Sequence, residues 1–359
     1  MSKKMLGVLL VLFLLVPMVA DAQSQYKKEY KFCMILGPSF LWTRIGDFFA
    51  DEVRDRTKGR INIKMYPGAQ LLAGQQLNEF MMLEKGVIDF AYDSTMNWSP
   101  QIKELNLFSL PFFFPHGRYI YDAVDALVDG EVGRKLFKII ESKGVVGLAW
   151  GEDGFRDLCN NRRLVKTVDD MKDLKIRIVG SPIFVDIYRA LGANPMAINM
   201  AEAVTGLQQG TVDGAEWALN AIARDVKVWQ WTKYCTTWHY VIDPIIFGVS
   251  KKTWATFTEE DKKIILAAAR KWSKYQKEDA RRGMIEYVTG IKGPGNRMFV
   301  DDVYKEYKEN GMEVTDLTLS SWKGFRDTTS DVRKKWKEII GKELVSEAEN
   351  AIQKHFITQ

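Results

Sequence analysis

Apolar positions along this chain recur with two different periods, and the alternation between them lays out the elements. The stretch 31–36 reads as a strand closed by Gly37-Pro38. The next segment carries Ile45, Phe48, Phe49 and Val53 on one helical face and Arg54, Asp55 and Lys58 on another, and 61–66 is a second strand stopped by Pro67-Gly68. The order β-α-β is that of a parallel sheet. Residues 174–179 alternate again, with Ile176 and Ile178 facing one way and Lys175, Arg177 and Val179 the other. Ser181 is placed as a helix N-cap and Pro182 as the first helical residue, and Ile183, Phe184, Ile187 and Leu191 continue that helix to a stop at Gly192. The apolar stretch 107–115, broken by Pro111 and Pro115, reads as an edge or interlobe strand. Residues 150–160 lead into a second half, and 239–250 are strand-like. Thr258 and Asp261 have near capping-box spacing, and Ile264, Ile265, Ala268, Trp272 and Tyr275 keep helical period. Carried to Tyr287, that helix spans about 45 Å, enough to cross both halves. A short strand at 312–314 and helices at 320–340 and 344–355 close the chain.

One pattern occurs twice. Leu83-Glu84-Lys85-Gly86-Val87-Ile88-Asp89-Phe90-Ala91 and Leu207-Gln208-Gln209-Gly210-Thr211-Val212-Asp213-Gly214-Ala215 both read Leu-x-x-Gly-x-aliphatic-Asp-x-Ala. In each, a helix ends at a glycine and a short strand runs on to a polar or aromatic tip. Helix, glycine and strand at matching places in two α/β stretches point to two similar lobes, each with its own sheet.

Residues 1–22 stand apart: Lys3 and Lys4, an apolar run over 6–19, and Ala20-Asp21-Ala22 as a cleavage site. This is a secretory signal, so an exported soluble protein is expected. The net charge of +5 includes that cationic segment, and acidic and basic residues are otherwise mixed, which argues against a nucleic-acid surface. Cys33, Cys159 and Cys235 form neither a metal site nor a disulfide framework. A bridge between Cys159 and Cys235 is open in an oxidising compartment, and so is the alternative of buried free thiols acting as small apolar residues.

His116, His239 and His355 are the only histidines, and none has a second ligand at metal spacing. With no nucleophile elbow, phosphate-binding loop or dinucleotide fingerprint, an enzyme is set aside and no cofactor or resident metal is expected. What remains is a cleft of arginines and aromatics at strand ends. Arg177 sits near the carboxyl end of its strand, where open α/β sheets bind ligands. Were Arg156 of Asp153-Gly154-Phe155-Arg156 to reach the same cleft, the two would hold a carboxylate, Arg177 bidentately and Arg156 from the side. A structural ion pair of Arg177 with Asp213 or Glu216 is the competing reading.

Several runs together resemble one family. Gly154-Phe155-Arg156-x-Leu158, Leu174-Lys175-Ile176-Arg177, Leu191-Gly192-Ala193-Asn194-Pro195, Leu207-Gln208-Gln209-Gly210 and Val212-Asp213-Gly214 are similar, in order and spacing, to the substrate-binding proteins of tripartite ATP-independent periplasmic (TRAP) transporters. So are Thr57-Lys58-Gly59-Arg60, Tyr66-Pro67-Gly68-Ala69-Gln70-Leu71 and Leu110-Pro111-Phe112 in the first half. The resemblance implies an α/β, two-lobed periplasmic binding protein fold, each lobe a mostly parallel sheet flanked by helices, with the long helix spanning both. The expected division is 1–22 as signal, 23–150 with about 243–280 as one lobe, 151–242 with about 281–325 as the other, and 326–359 as C-terminal helices across them. It further implies a monomer in the periplasm that closes on an organic acid and delivers it to sodium-driven permease subunits in the membrane.

By family role Arg177 matches the arginine that pairs with the ligand carboxylate, and Arg156 a second arginine near it. Trp217 stands where the family often has an asparagine, in Asp213-Gly214-Ala215-Glu216-Trp217, and Met200 where it often has a phenylalanine. Glu216 and Trp217 also occur together in members resembling 2-oxoacid binders, some of which use a bound cation. Phe40, Trp42, Asn97 and Trp98 are the first-lobe candidates for the pocket. A monocarboxylate with a hydroxy, oxo, aromatic or hydrophobic tail is expected. The alternatives are a C4-dicarboxylate, a cation-bridged 2-oxoacid, or the ligand-presenting subunit of a sensor.

Overall fold

The computed structural model describes residues 26–115, 120–289 and 303–357, without the side chains of 220, 221, 282–289, 303 and 355–357. The signal segment 1–22, His116 and the side chain of His355 lie outside that description. In chain order the first half contains β1 (Tyr30–Cys33), α1 (Leu41–Arg56), β2 (Ile63–Tyr66), α2 (Glu79–Lys85), β3 (Phe90–Ser94), α3 (Thr95–Trp98), α4 (Ile120–Val128) and α5 (Glu131–Ser142). Then come β4 (Val145–Asn160), β5 (Lys175–Ile178), α6 (Pro182–Ala190), β6 (Asn194–Ala197), α7 (Met200–Gln208), β7 (Gly214–Ala218) and β8 (Tyr234–Ser250). The chain continues with α8 (Lys251–Trp254), α9 (Glu259–Thr289), α10 (Val303–Glu309), β9 (Glu313–Asp316), α11 (Leu319–Thr328), α12 (Ser330–Ile340) and α13 (Lys342–Ile357).

The strands line up as β2-β1-β3-β8-β4-β7-β5-β6, with β9 beside β8. At one end β2, β1 and β3 are mutually parallel, and at the other β7, β5 and β6 are. Two long antiparallel strands, β4 of 16 residues and β8 of 17, belong to both ends and join them. Almost every side chain along them is buried, the charged Glu152, Asp153, Arg156, Asp157 and Asp243 included. The 31 residues of α9 amount to about 46 Å and lie along β4 and α1. Its start is fastened as the sequence suggests, the Thr258 hydroxyl accepting from the Asp261 amide at 3.2 Å.

The repeated pattern is the same device in both lobes. Asp89 accepts the Lys31 amide at 2.8 Å, returns its own amide to the Lys31 carbonyl at 2.9 Å, and is met by the Lys27 ammonium. Asp213 accepts the Lys175 amide at 2.9 Å, donates to the Lys175 carbonyl at 2.7 Å, and is met by Arg162 at 2.6 Å. One carboxylate in each lobe therefore pins the start of a parallel strand.

Two sequence expectations are corrected. The stretch 107–115 is not a strand: Lys103–Ser109 is a 3₁₀ helix and Phe112 has a φ of 53°. Prolines remove two ladder donors there, and the Phe112 amide instead reaches across to the Tyr240 carbonyl at 2.6 Å. The single helix expected over 320–340 breaks at Thr329, with φ −93° and ψ 12°, giving α11 and α12. Of the C-terminal elements, α13 packs on α4 and α5 while α12 packs on α6.

Candidate functional site

Arg177 lies in β5 between two fully buried isoleucines and is itself only 2% exposed. Its Nε donates to the Ile198 carbonyl at 2.9 Å, and its guanidinium lies 5.6 Å from the centre of the Trp217 ring, within cation–π range. It forms no ion pair among the described residues. Burial pulls its pKa down to about 10, Glu216 acting against that shift and Arg156 with it.

Arg156 is in the opposite situation. Its Nε donates to Glu216, one terminal nitrogen reaches Glu216 Oε1 at 2.9 Å, and the other reaches Asp243 Oδ2 at 2.8 Å and stands 3.6 Å from Asp153. Burial works against its charge, but Glu216 and Asp243 outweigh it and hold the group well above its ordinary value. Three elements deliver these partners: β4 supplies Asp153 and Arg156, β7 supplies Glu216, and β8 supplies Asp243. The strands come close at Gly214, where a Cβ would lie 2.4 Å from the Cys159 carbonyl oxygen. The Ser94 hydroxyl donates to Asp243. Burial pushes the Asp243 carboxyl up to about 6, against the pull of Arg156. Asp153 also lies well above its ordinary value, through burial and the Asp243 charge.

Both arginines line a narrow cavity of about 20 Å³, with Trp42, Asn97, Met200 and Trp217 around it. The indole nitrogens of Trp42 and Trp217 are buried donors with no acceptor among the described residues. Asn97 donates to Asp93 at 2.8 Å and accepts from Gln76 at 2.7 Å, and Gln76 in turn accepts the Met200 amide at 2.7 Å. That chain ties the two lobes together, as do the contacts of Ser181 with Ser99 at 2.8 Å and Asn106 at 3.0 Å. Ser181 precedes α6 as expected, but its hydroxyl is spent on these contacts and makes no capping bond.

Three candidates, Phe40, Trp98 and Glu216, do not line the cavity. Phe40 precedes α1 and packs, partly buried, against the core beside Gly37. Trp98 is fully buried, donates to Glu79 at 3.1 Å and stacks edge-on with Phe80. Glu216 acts one step back, holding Arg156. Sequence reasoning missed Ile35, Gln76, Ser94, Val179, Ile222 and Asp243 among the lining residues. Only Asp243 carried a usable signal, a lone acid inside the apolar run 240–249.

A family model for bacterial extracellular solute-binding proteins, family 7, matches residues 32–339. A TRAP periplasmic solute-binding protein from Ralstonia eutropha, solved with bound (S)-2-hydroxy-2-methyl-3-oxobutanoate, is 44% identical with a TM-score of 0.84, over 92% of this chain and all of that one. A sugar-acid-binding protein from Advenella mimigardefordensis in complex with galactonate is 25% identical, with a TM-score of 0.80 over 92% of this chain and 99% of its own. The 2,3-diketo-L-gulonate-binding periplasmic protein of Escherichia coli is 28% identical over 270 residues, 75% of this chain and 80% of that protein. No helix among the described residues is long and apolar enough to cross a membrane. A buried arginine without an anion, in a cavity between two lobes of this fold, thus accompanies a match over most of the chain: it belongs to family 7 of the bacterial extracellular solute-binding proteins, TRAP substrate-binding subunits that carry organic acids to a membrane permease and are not enzymes.

Proposed function

We propose that this protein captures a small monocarboxylate bearing a hydroxy or oxo group in the periplasm, as a monomer, and hands it to a sodium-driven permease. The observation that carries this reading is Arg177, a buried guanidinium with no carboxylate partner among the described residues, lining an interlobe cavity. The ligand carboxylate is its counter-ion, with Met200 and Trp217 beside it. The lobes of this reading are 23–150 with about 243–280 and 151–242 with about 281–325, and the helices from 326 onward bind the two together. Oxygens beyond the carboxylate suit the unsatisfied indole donors of Trp42 and Trp217. The relatives solved with a hydroxy-oxo acid and with galactonate fit that preference. A dicarboxylate would need a second available cation, and Arg156 is already committed to Glu216 and Asp243.

Losing one partner of a desolvated charge pair costs about 3–5 kcal/mol, and each 1.4 kcal/mol is about tenfold in affinity. Arg177→Ala is therefore expected to bind (S)-2-acetolactate or a related 2-oxo acid at least about a hundredfold more weakly by calorimetry. Binding unchanged within about threefold would remove Arg177 from the site. Tighter binding of succinate than of any monocarboxylate would overturn the proposed ligand class.

A further inference from the structure

We propose that Cys159 and Cys235 are joined by a disulfide in the exported protein. The two are direct partners across the antiparallel β4–β8 ladder. Their sulfurs are 3.2 Å apart and both side chains are fully buried. Directly opposed residues in such a ladder have Cα atoms about 4.5–5.5 Å apart, inside the range of about 4.4–6.8 Å that a disulfide spans. No strand has to move for the bond to form.

The position gives the bond something to do. Cys159 also pairs with Ala215 of β7, next to Glu216 and Trp217, and Cys235 pairs with Val314 of β9. Just before this point the β4–β8 register breaks, running from Arg156↔Val241 to Leu158↔Thr236. One residue of β4, Asp157, there faces four of β8, 237–240, and His239 in the longer strand has a φ of 48°. A covalent link beyond the break fixes how β4 re-engages β8, three residues from Arg156.

The bond forms by exchange. A thiolate of one cysteine attacks the disulfide of a periplasmic dithiol–disulfide oxidoreductase, giving a mixed disulfide, and the second cysteine displaces the carrier. The two cysteine thiols lose two protons and two electrons, and the carrier's disulfide takes them up as two thiols. Burial pushes the Cys235 thiol well above its ordinary value, so exchange belongs to the stage before these strands close over the pair. In the finished fold the bond is sealed from reductant.

This inference rests on the reading that the chain is exported, so the test uses full-length protein recovered from the periplasmic fraction without reductant. After denaturation it is expected to titrate as one free thiol, Cys33, and as three after reduction. Trypsin is expected to release peptide 157–162 linked to peptide 234–251, and Cys33→Ser protein is expected to keep that link and show no free thiol. Three free thiols in periplasmic protein would overturn the bridge while leaving export standing. Absence of the protein from that fraction would overturn both.

Discussion

Arg156 and Arg177 are the same side chain in opposite electrostatic settings, and the difference is measurable without any ligand. Arg156→Met leaves Glu216 and Asp243 buried and unpaired, which costs about 3–5 kcal/mol. Arg177→Met removes a buried cation that has no ion-pair partner to abandon, so ligand-free protein is expected to melt no lower than the parent. Thermal melts of the two variants check this, and similar losses for both would mean that Arg177 serves the empty fold as well. How much of this was legible follows from sequence distance. Arg177 could be placed from its own strand, whose alternation fixes the face it occupies. The saturation of Arg156 could not, because Glu216 lies 60 and Asp243 87 residues further on. That Phe40 and Trp98 lie outside the cavity lining was illegible for a related reason: the sequence around an aromatic residue looks the same whether it turns into a pocket or into the core.

Elements that carry their own local signals were readable, and the pairing of the two long strands was not. The β-α-β start, the α6 helix with Ser181 and Pro182 at its head, and the α9 helix carry local periodicity and capping residues. The ladder between β4 and β8 is visible only once the whole chain is folded, and so is the break within it. That break has one clasp: Asp157 Oδ1 accepts from the Trp238 amide at 2.8 Å and the His239 amide at 2.9 Å, with the His239 imidazole at 3.0 Å. Asp157→Ala strands two buried amides, each worth about 1–3 kcal/mol, and a clear fall in the urea midpoint is expected. A change within about 0.5 kcal/mol, typical of an unimportant surface position, would show that the bulge holds without the carboxylate.

At the scale of the molecule, Asp153, Glu216 and Asp243 surround Arg156 where β4, β7 and β8 meet, so an excess of acid sits at the junction of the lobes. Burial lifts Asp243 from 3.8 to about 6. Across that interval the folded chain holds a proton that the unfolded chain has released, so this group's contribution to stability falls as pH rises from about 4 to 6. Asp153, raised for the same reason, acts with the same sign. Asp243→Asn is expected to flatten part of the pH dependence of the urea midpoint over that window, and an unaltered slope would clear Asp243 of responsibility. The unmatched charge of Arg177 has a consequence for traffic as well. A bare cation is tolerable while water can reach it and costly once the lobes shut, so the vacant carrier is biased against resting closed. Empty protein is expected to drift open, so that the permease of the proposed function would meet fewer molecules with nothing to deliver.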